Sequence, residues 1–301
     1  MEINAFSRPG RFWKGNLHTH STRSDGRKSP EAICREYREA GYDFLAVTDH
    51  FLEHYGYPMT DTRPFRTEAF TTLIGAELHT GHTEFGHLWH ILAVGLPLDF
   101  APYPAGETGP EVVTRALAAG AFVAAAHPAW YGLSEADIRS LGPIHAVETY
   151  NATSADHNDR DDSQYIYDLL LMRGERYFAL ATDDTHSVPE RNDAQRGWVQ
   201  VRSETLEPEA LLEALRAGAY YSSTGPQIFD IAATDAETIR VRCSPAERVW
   251  AVGFGSYYSY VYGNGITEVD LPLKTLGNSP YFRVIVRDHR GGRAWSNPIR
   301  R

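Results

Sequence analysis

Trp13-Lys14-Gly15-Asn16-Leu17-His18-Thr19-His20-Ser21-Thr22-Arg23-Ser24-Asp25 is the stretch on which the fold and the chemistry both turn. It opens as a strand-length, largely apolar run (Trp13 to Leu17) and closes in residues able to hold a metal. On an extended strand, positions i and i+2 point to one face, so His18 and His20 converge without help from tertiary folding. Asp25 follows closely enough to fold back onto them.

Working outward, the same grammar recurs. Further apolar runs of strand length are Tyr42 to Thr48, Thr71 to Gly75, Trp89 to Val94, Phe122 to Ala126, Ala146 to Thr149 and Tyr177 to Ala181. Helices punctuate them: Ser29-Pro30-Glu31 supplies an N-cap, a proline at the first helical position and an early acid, and Gly41 stops the helix. Pro110-Glu111 opens a helix ending near Gly120, Leu133 to Leu141 and Gln164 to Arg173 give two more, and Glu207-Pro208-Glu209 opens one ending at Gly218. Seven continuous apolar strands between helices imply buried parallel strands, in a barrel or a doubly wound sheet. In a parallel barrel the site lies at the C-terminal strand ends. From about Gln227 the texture becomes β-rich, with runs Ile228 to Ala233, Ile239 to Cys243, Val249 to Phe254, Tyr257 to Tyr262 and Phe282 to Val286, and turn signals at Gly263-Asn264-Gly265 and Gly291-Gly292. This predicts a small antiparallel β-sandwich, residues 226–301, appended to a metal-binding unit, residues 1–225. Its expected role is an oligomerisation or lid element rather than carbohydrate binding.

Most strand ends carry metal-capable residues: Thr48-Asp49-His50, Gly75-Ala76-Glu77, His127-Pro128 and Thr182-Asp183-Asp184-Thr185-His186. Asp184 and His186 repeat the i, i+2 geometry. Asp49 is either a partner that orients His50 or a strand-end cap. Each piece alone is weak evidence; five in order at successive strand ends are not a coincidence. Of the 13 histidines, only His289 lies beyond His186, which places the chemistry in the first two-thirds of the chain.

Composition excludes several classes. The net charge of −10 argues against a nucleic-acid polymer but leaves room for a small anionic substrate, because bound metal ions invert the local field. No apolar run is long enough for a membrane helix, and Met1 to Gly15 shows no secretory signal. Two cysteines, Cys34 and Cys243, give no disulfide framework, so a cytoplasmic location is expected. Nothing in the sequence fixes the oligomeric state; an oligomer is compatible with it. His50-Phe51-Leu52-Glu53-His54 fits the H-x-x-E-H pattern of inverted zinc proteases, but Gly56 and Pro58 end any helix too early for it. A serine or cysteine nucleophile and a P-loop find no support.

Taken in order, His-x-His, a downstream Asp, Thr-Asp-His, Gly-x-Glu, His-Pro and Asp-x-His resemble the PHP (polymerase and histidinol phosphatase) superfamily over residues 12 to 190. The stretches Ser222-Ser223-Thr224-Gly225-Pro226 and Ala294-Trp295-Ser296-Asn297-Pro298 resemble its bacterial subgroup with a C-terminal β-domain, similar to CehA/McbA-like hydrolases. The resemblance implies a distorted (β/α)7 barrel holding two or three divalent ions (Zn, Mn or Fe). It implies His18, His20, Asp25, His50, Glu77, His90, His127, Asp184 and His186 as ligands. His90, which begins the run His90-Ile91-Leu92, is favoured over His87, and His79 and His82 rank lower. Asp25 stands where some members have histidine, a harder ligand that favours Mn or Fe over Zn.

The expected chemistry is phosphoester hydrolysis by a metal-bridging hydroxide, with Glu77 bridging, Asp184 orienting or accepting a proton, and His186 holding the cluster. Arg23 and Arg160 are the candidate anchors of a small, anionic phosphate ester. His54, His157 and Asp183 are candidates for the leaving-group acid. The rivals are a carbamate, amide or carboxylic-ester hydrolase on the same cluster, and a non-catalytic metal-dependent binding module.

Overall fold

The structure, a computed structural model, describes residues 3–301. Its strands are β1 (Arg11–Asn16), β2 (Phe44–Val47), β3 (His50–Phe51), β4 (Thr71–Leu78), β5 (Ile91–Val94), β6 (Phe122–Ala125), β7 (Ala146–Asn151), β8 (Phe178–Thr182), β9 (Trp198–Ser203), β10 (Tyr220–Ser223), β11 (Ile228–Ala233), β12 (Thr238–Gly253), β13 (Tyr258–Pro272), β14 (Tyr281–Arg287), β15 (Arg293–Ser296) and β16 (Ile299–Arg300). Its helices are α1 (Asn4–Ser7), α2 (Pro30–Glu39), α3 (Gly109–Ala118), α4 (Pro128–Tyr131), α5 (Glu135–Ser140), α6 (Ala152–Asn158), α7 (Gln164–Met172) and α8 (Pro208–Arg216).

Local chemistry sets the helix ends. Ser29 Oγ accepts from Ala32 N at 3.2 Å, with Pro30 opening α2. Ser134 and Asp137 form a reciprocal capping box on α5. Gly218 ends α8's connection at φ +67°, where a Cβ would lie 2.4 Å from the Phe178 ring, so glycine alone lets the chain turn this close to β8.

One hydrogen-bonded sheet runs in the order β11-β12-β14-β15-β10-β9-β1-β2-β4-β5-β6-β7-β8. All seven apolar runs are strands, but not all are parallel. β1/β2, β2/β4, β6/β7 and β7/β8 pair parallel; β5 is antiparallel to both β4 and β6. The cause is the connection 79–90, which contains no helix and carries an antiparallel bridge between His82 and Leu88. Without a crossover helix to carry the chain back across the sheet, the next strand returns in the opposite direction. Beyond the strands proper, Thr19 and Thr185 form a parallel bridge, with His20 N donating to Thr185 O and Asp184 N to His18 O, each at 2.9 Å. The segments after β1 and β8 therefore lie side by side.

Alternation along the strands buries both faces. Phe44 and Ala46, Leu92 and Val94, and Phe122 and Ala124 share one cluster with Leu211 and Leu215 of α8. Their neighbours turn the other way: Leu45 and Val47 pack with Ile33 and Tyr37 of α2, and Ile91 and Val123 with Val112 of α3 and Leu170 of α7. Each fully buried aliphatic side chain is worth roughly 1.5–3 kcal/mol.

The C-terminal strands pair antiparallel throughout, as read from the sequence, but their limits differ. The runs at 239–243 and 249–254 are one strand, β12, whose register shifts between Arg242 and Arg248, where Pro245 has no N–H to give to a ladder. Gly263-Asn264-Gly265, read as a turn, lies inside β13 at the matching irregularity. An apolar cluster of its own (Ile231, Val241, Val249, Phe282, Val284 and others) backs these strands. They join the remaining sheet where Tyr221 and Ser222 of β10 pair with Ser296 and Trp295 of β15, so the two late motifs are neighbours.

Candidate metal centre

The polar strand ends gather at one edge of the sheet. His18 and His20 follow β1, His50 starts the short β3, Glu77 is on β4, His127 follows β6, and Asp184 and His186 follow β8. His90 precedes β5; because that strand is antiparallel, its N-terminal end lies at the same edge.

Glu77, fully buried, is the hub. Its Oε1 lies 2.8 Å from His90 Nδ1 and 3.1 Å from His127 Nε2. Its Oε2 lies 2.6 Å from His50 Nδ1, 3.2 Å from His79 Nε2, and 3.6 Å from both His18 Nε2 and His20 Nε2. Asp184 Oδ1 lies 2.9 Å from His20 Nε2 and 3.2 Å from His18 Nε2. Asp25 Oδ1 stands 3.4 Å from His50 Nε2 and 3.5 Å from His186 Nε2. Donor atoms within 4.8 Å of one another form the groups His20/Asp25/His50/His186, His18/His20/Glu77, His18/His127/Asp184, Glu77/His90/His127 and His50/Glu77/His79. All nine expected ligands are therefore brought together, and His79 joins them.

The donor set fits divalent cations on an internal observation. His18 Nε2 and Glu77 Oε2, which face each other at 3.6 Å inside the cluster, are buried without a partner in hydrogen-bond geometry. Each such orphan costs about 1–3 kcal/mol unless something replaces water. Imidazole nitrogens and carboxylate oxygens facing one another at these spacings suit Zn, Mn or Fe rather than an all-oxygen calcium cage. The backbone also carries strain here: His127 at φ 29° and Asp184 at φ 54° are non-glycine residues in the left-handed region.

The electrostatics are those of closely packed imidazoles and carboxylates. Burial pushes His20 down to about 4 and His90 to about 3, with neighbouring histidines adding to it, so both are held neutral, the ligating form. Burial also opposes charge on His50, but Glu77 and Asp25 overcome it and raise it to about 10. Burial would raise Glu77, yet the surrounding histidines, His79 and His90 foremost, hold its carboxyl well below the usual range.

Several residues position the ligands. Glu148, fully buried, accepts from His18 Nδ1 at 2.7 Å and from Thr182 Oγ1 at 2.8 Å on one oxygen. Its other oxygen accepts from His127 N at 2.8 Å and Asn151 Nδ2 at 3.1 Å. Asn151 also donates to Asp184 Oδ2 at 3.1 Å. Sequence reasoning missed Glu148, Asn151 and the rank of His79. The signals were present: Glu148 is a carboxylate within a buried apolar strand, which must be paired, and His79 is at i+2 from Glu77, the spacing that identified His18/His20 and Asp184/His186.

Asp49 is a loop tie: it accepts from Ser21 N at 2.7 Å, Ser21 Oγ at 2.8 Å, Ser24 Oγ at 2.9 Å and Thr60 Oγ1 at 2.7 Å, which folds Asp25 back toward His20. Asp183 accepts from Tyr37 OH and from the backbone N–H groups of Gln195, Arg196 and Gly197, and burial raises it to about 6. Its side-chain partners are Tyr37 of α2 and the segment 195–197 before β9, none of them a candidate ligand. A cleft of about 180 Å³ opens over the cluster, lined by Asp25, His50, His90, His127, Asp184 and His186, with Trp130, Thr153 and His157 at its walls. Arg23 and Arg160 are exposed and do not line it; nor does the exposed His54. His82 and His87 are exposed. His50 and His54 are separated by a single 3-10 turn, so no protease helix exists there.

No family model matches the sequence, and no curated protein matches it. Among solved structures, the chain is similar to a two-domain protein containing a predicted PHP-like metal-dependent phosphoesterase from Bacteroides vulgatus (TM-score 0.55, 14% identity, 99% of each chain covered). Weaker likenesses are a proposed metal-dependent phosphoesterase from Bifidobacterium adolescentis (TM-score 0.42, 14% identity, 59% of this chain and 91% of that one) and an amidohydrolase from Chromobacterium violaceum with bound sulfate and no metal (TM-score 0.45, 16% identity, 59% and 89%). The first likeness, at full coverage of both chains, gives this protein the fold of that two-domain structure.

Proposed function

We propose that this chain is a PHP-superfamily, CehA/McbA-like hydrolase that cleaves a small phosphate ester at this cluster, on a barrel (residues 1–225) followed by a β-domain (226–301). The observation that carries the reading is Glu77: one buried carboxylate faced by six imidazoles, with its own Oε2 and His18 Nε2 left without a hydrogen-bond partner. When bound, two or three Zn, Mn or Fe ions supply Lewis-acid polarisation of the ester and acidification of the attacking water. His18, His20 and Asp184 would hold one ion, His90 and His127 a second, and Asp25, His50 and His186 a third, with Glu77 shared. Asp184 would orient the water and take its proton. His186 is oriented by its Nδ1–H, which donates to Asp184 O at 2.8 Å and leaves Nε2 facing the cleft. His157, on the cleft wall, accepts from Arg191 at Nε2, so only its Nδ1–H would be left to serve a leaving group.

Three dications against three carboxylates (Asp25, Glu77, Asp184) would leave the centre positive, which suits an anionic phosphate without an arginine. A second reading, a carbamate, amide or carboxylic-ester hydrolase, is favoured by one feature: no arginine or lysine lines the cleft, and Trp130 does. The test is metal content by mass spectrometry on protein purified without added metal or chelator, followed by turnover of p-nitrophenyl phosphate, bis-p-nitrophenyl phosphate, p-nitrophenyl acetate and 1-naphthyl methylcarbamate. Phosphate release with two or three bound ions is expected. Turnover confined to the last two substrates selects the second reading, and an inability to bind metal overturns both.

A further inference from the structure

Away from the metal centre, one face of the C-terminal strands is rich in aromatic and arginine side chains. The opposite face of β12 and β14 is apolar and buried (Val249, Ala251, Val284, Val286). The face in question carries three cross-strand rows set by register. The first is Tyr258–Val252–Arg283. The second is Tyr260–Trp250–Ile285–Trp295. The third is Tyr262–Arg248–Arg287–Arg293. Neighbouring strands lie about 4.8 Å apart and every second residue about 6.6 Å along, so the platform measures roughly 14 by 13 Å.

One end of the platform is roofed by Gln164 and Asp168 of α7, which closes a hollow of about 260 Å³ over Trp250, Arg283 and Trp295. A second hollow of about 260 Å³ adjoins it, sharing Gln164, Arg293 and Trp295. The other end is open: Tyr258, Tyr260 and Tyr262 are 55%, 52% and 65% exposed, a run of rings that a soluble surface rarely shows without use. Neither hollow shares a residue with the metal cleft.

We propose that this face is a binding site for neutral, pyranose-containing oligosaccharides. Charge at the hollows argues against an anion, while Arg248, at the open end, is the one arginine of the rows without a carboxylate partner among the described residues. Arg283 is paired with Asp168, Arg287 with Glu247 (2.7 Å) and Arg293 with Asp162 (3.3 Å), so the three arginines at the hollows are offset by three carboxylates. Polarity decides against a purely apolar ligand. Paired guanidinium and carboxylate groups offer donors and acceptors side by side, which is what a hydroxyl, donor and acceptor at once, requires. Arg283, 2% exposed, lines the hollow with its guanidinium tied to Gln164 and Asp168. The indole of Trp250 and the phenols of Tyr258 and Tyr260 supply flat faces for the C–H side of a sugar ring. The guanidinium groups of Arg248 and Arg287 stand 5.9 Å and 5.5 Å from the Trp250 ring centroid, at the outer reach of a cation–π contact. The roofed hollow takes one sugar ring, and the open tyrosine row has room for one or two more.

The test uses the full metal-loaded chain. Affinity electrophoresis through amylopectin, galactomannan, xyloglucan and mixed-linkage β-glucan is followed by calorimetric titration with the matching trisaccharide. Retardation by at least one neutral polysaccharide is expected, weakened about tenfold or more, or 1.4 kcal/mol, by Trp250→Ala. Tyr260→Ala, at an exposed ring, tests the same face should Trp250→Ala fold poorly. Metal content and hydrolase turnover stay unchanged in both variants. The proposal is overturned if no neutral polysaccharide retards the chain, if dextran sulfate alone does so, or if both variants bind as the parent does. It is equally overturned if sedimentation shows a dimer that Tyr260→Ala dissociates, since the face would then be a contact between copies.

Discussion

Replacing Glu148 by glutamine changes almost no volume and removes no expected ligand, yet through its bonds to His18 and His127 it should cripple the metal centre. Both oxygens of Glu148 are acceptors, each for two donors. An amide must turn its NH2 toward one pair. Toward His127 N and Asn151 Nδ2 it meets a fixed backbone N–H and an amide that cannot flip, because Asn151 Oδ1 accepts from Ser154 N at 2.8 Å while its Nδ2 serves Asp184. The NH2 therefore turns toward Thr182 and His18. Thr182 can rotate its hydroxyl, but His18 must now accept at Nδ1 and carry its proton on Nε2. That nitrogen faces Asp184 at 3.2 Å and Glu77 at 3.6 Å, and once protonated it cannot ligate. Losing a residue that orients a ligand costs 10–100-fold in metal affinity, about 1.4–2.7 kcal/mol. Competition against a chromogenic chelator measures it, with circular dichroism confirming the fold. Unchanged affinity in a folded Glu148→Gln protein would refute the reasoning, since His18 would then not bind through an Nε2 set by Glu148.

Other outcomes follow from the same geometry. His79→Gln should weaken metal binding about tenfold or more, seen as lower occupancy by mass spectrometry after dialysis; unchanged occupancy would make His79 a bystander to Glu77. Stripping the ions with a chelator should lower Tm by roughly 5–10 °C, from about 2.7 kcal/mol of linkage at a hundredfold excess over Kd and about 2–4 °C per kcal/mol; calorimetry before and after re-addition checks it. Asn297→Ala should destabilise the chain by about 3 kcal/mol in urea unfolding without altering metal content. Its side chain accepts from Ala179 N at 2.9 Å and donates to Gly218 O and Tyr220 O at 3.0 Å, so removal strands three buried backbone groups.

How far the sequence could be read depended on whether a signal was local. His18/His20 and Asp184/His186 were legible because strand geometry alone puts i and i+2 on one face. The capped helices α2, α5 and α8 were legible because Ser, Pro and Gly act within a turn of themselves. Asp49 was not resolved: whether it orients His50 or ties a loop depends on Ser21, Ser24 and Thr60, which only the fold brings to it. Arg23 and Arg160 were chosen for closeness along the chain, and loop conformation carries both out of the cleft. β12 and β13 were cut short because a proline and a Gly-Asn-Gly read as breaks; a partner strand on each side can absorb such an irregularity as a bulge.

The ranking of His79 shows how one topological assumption spreads into chemistry. If β4 and β5 ran parallel, the strand after Glu77 would begin at the far edge of the sheet, and its first residue would be remote from the residue that ends β4. A single histidine would then be needed from that strand, and His79, His82, His87 and His90 become alternatives. The antiparallel pairing removes the choice. Leu78 stands opposite Ile91 and Glu77 opposite Leu92, so the chain just beyond β4 and the chain just before β5 face each other across the ladder. His79 and His90 occupy those two positions, with ring centroids 4.3 Å apart and nitrogens 3.2 Å and 2.8 Å from the two oxygens of Glu77. The connection without a helix is thus what gives Glu77 an imidazole from each side, and it is why His79 joins the nine candidate residues at the cluster.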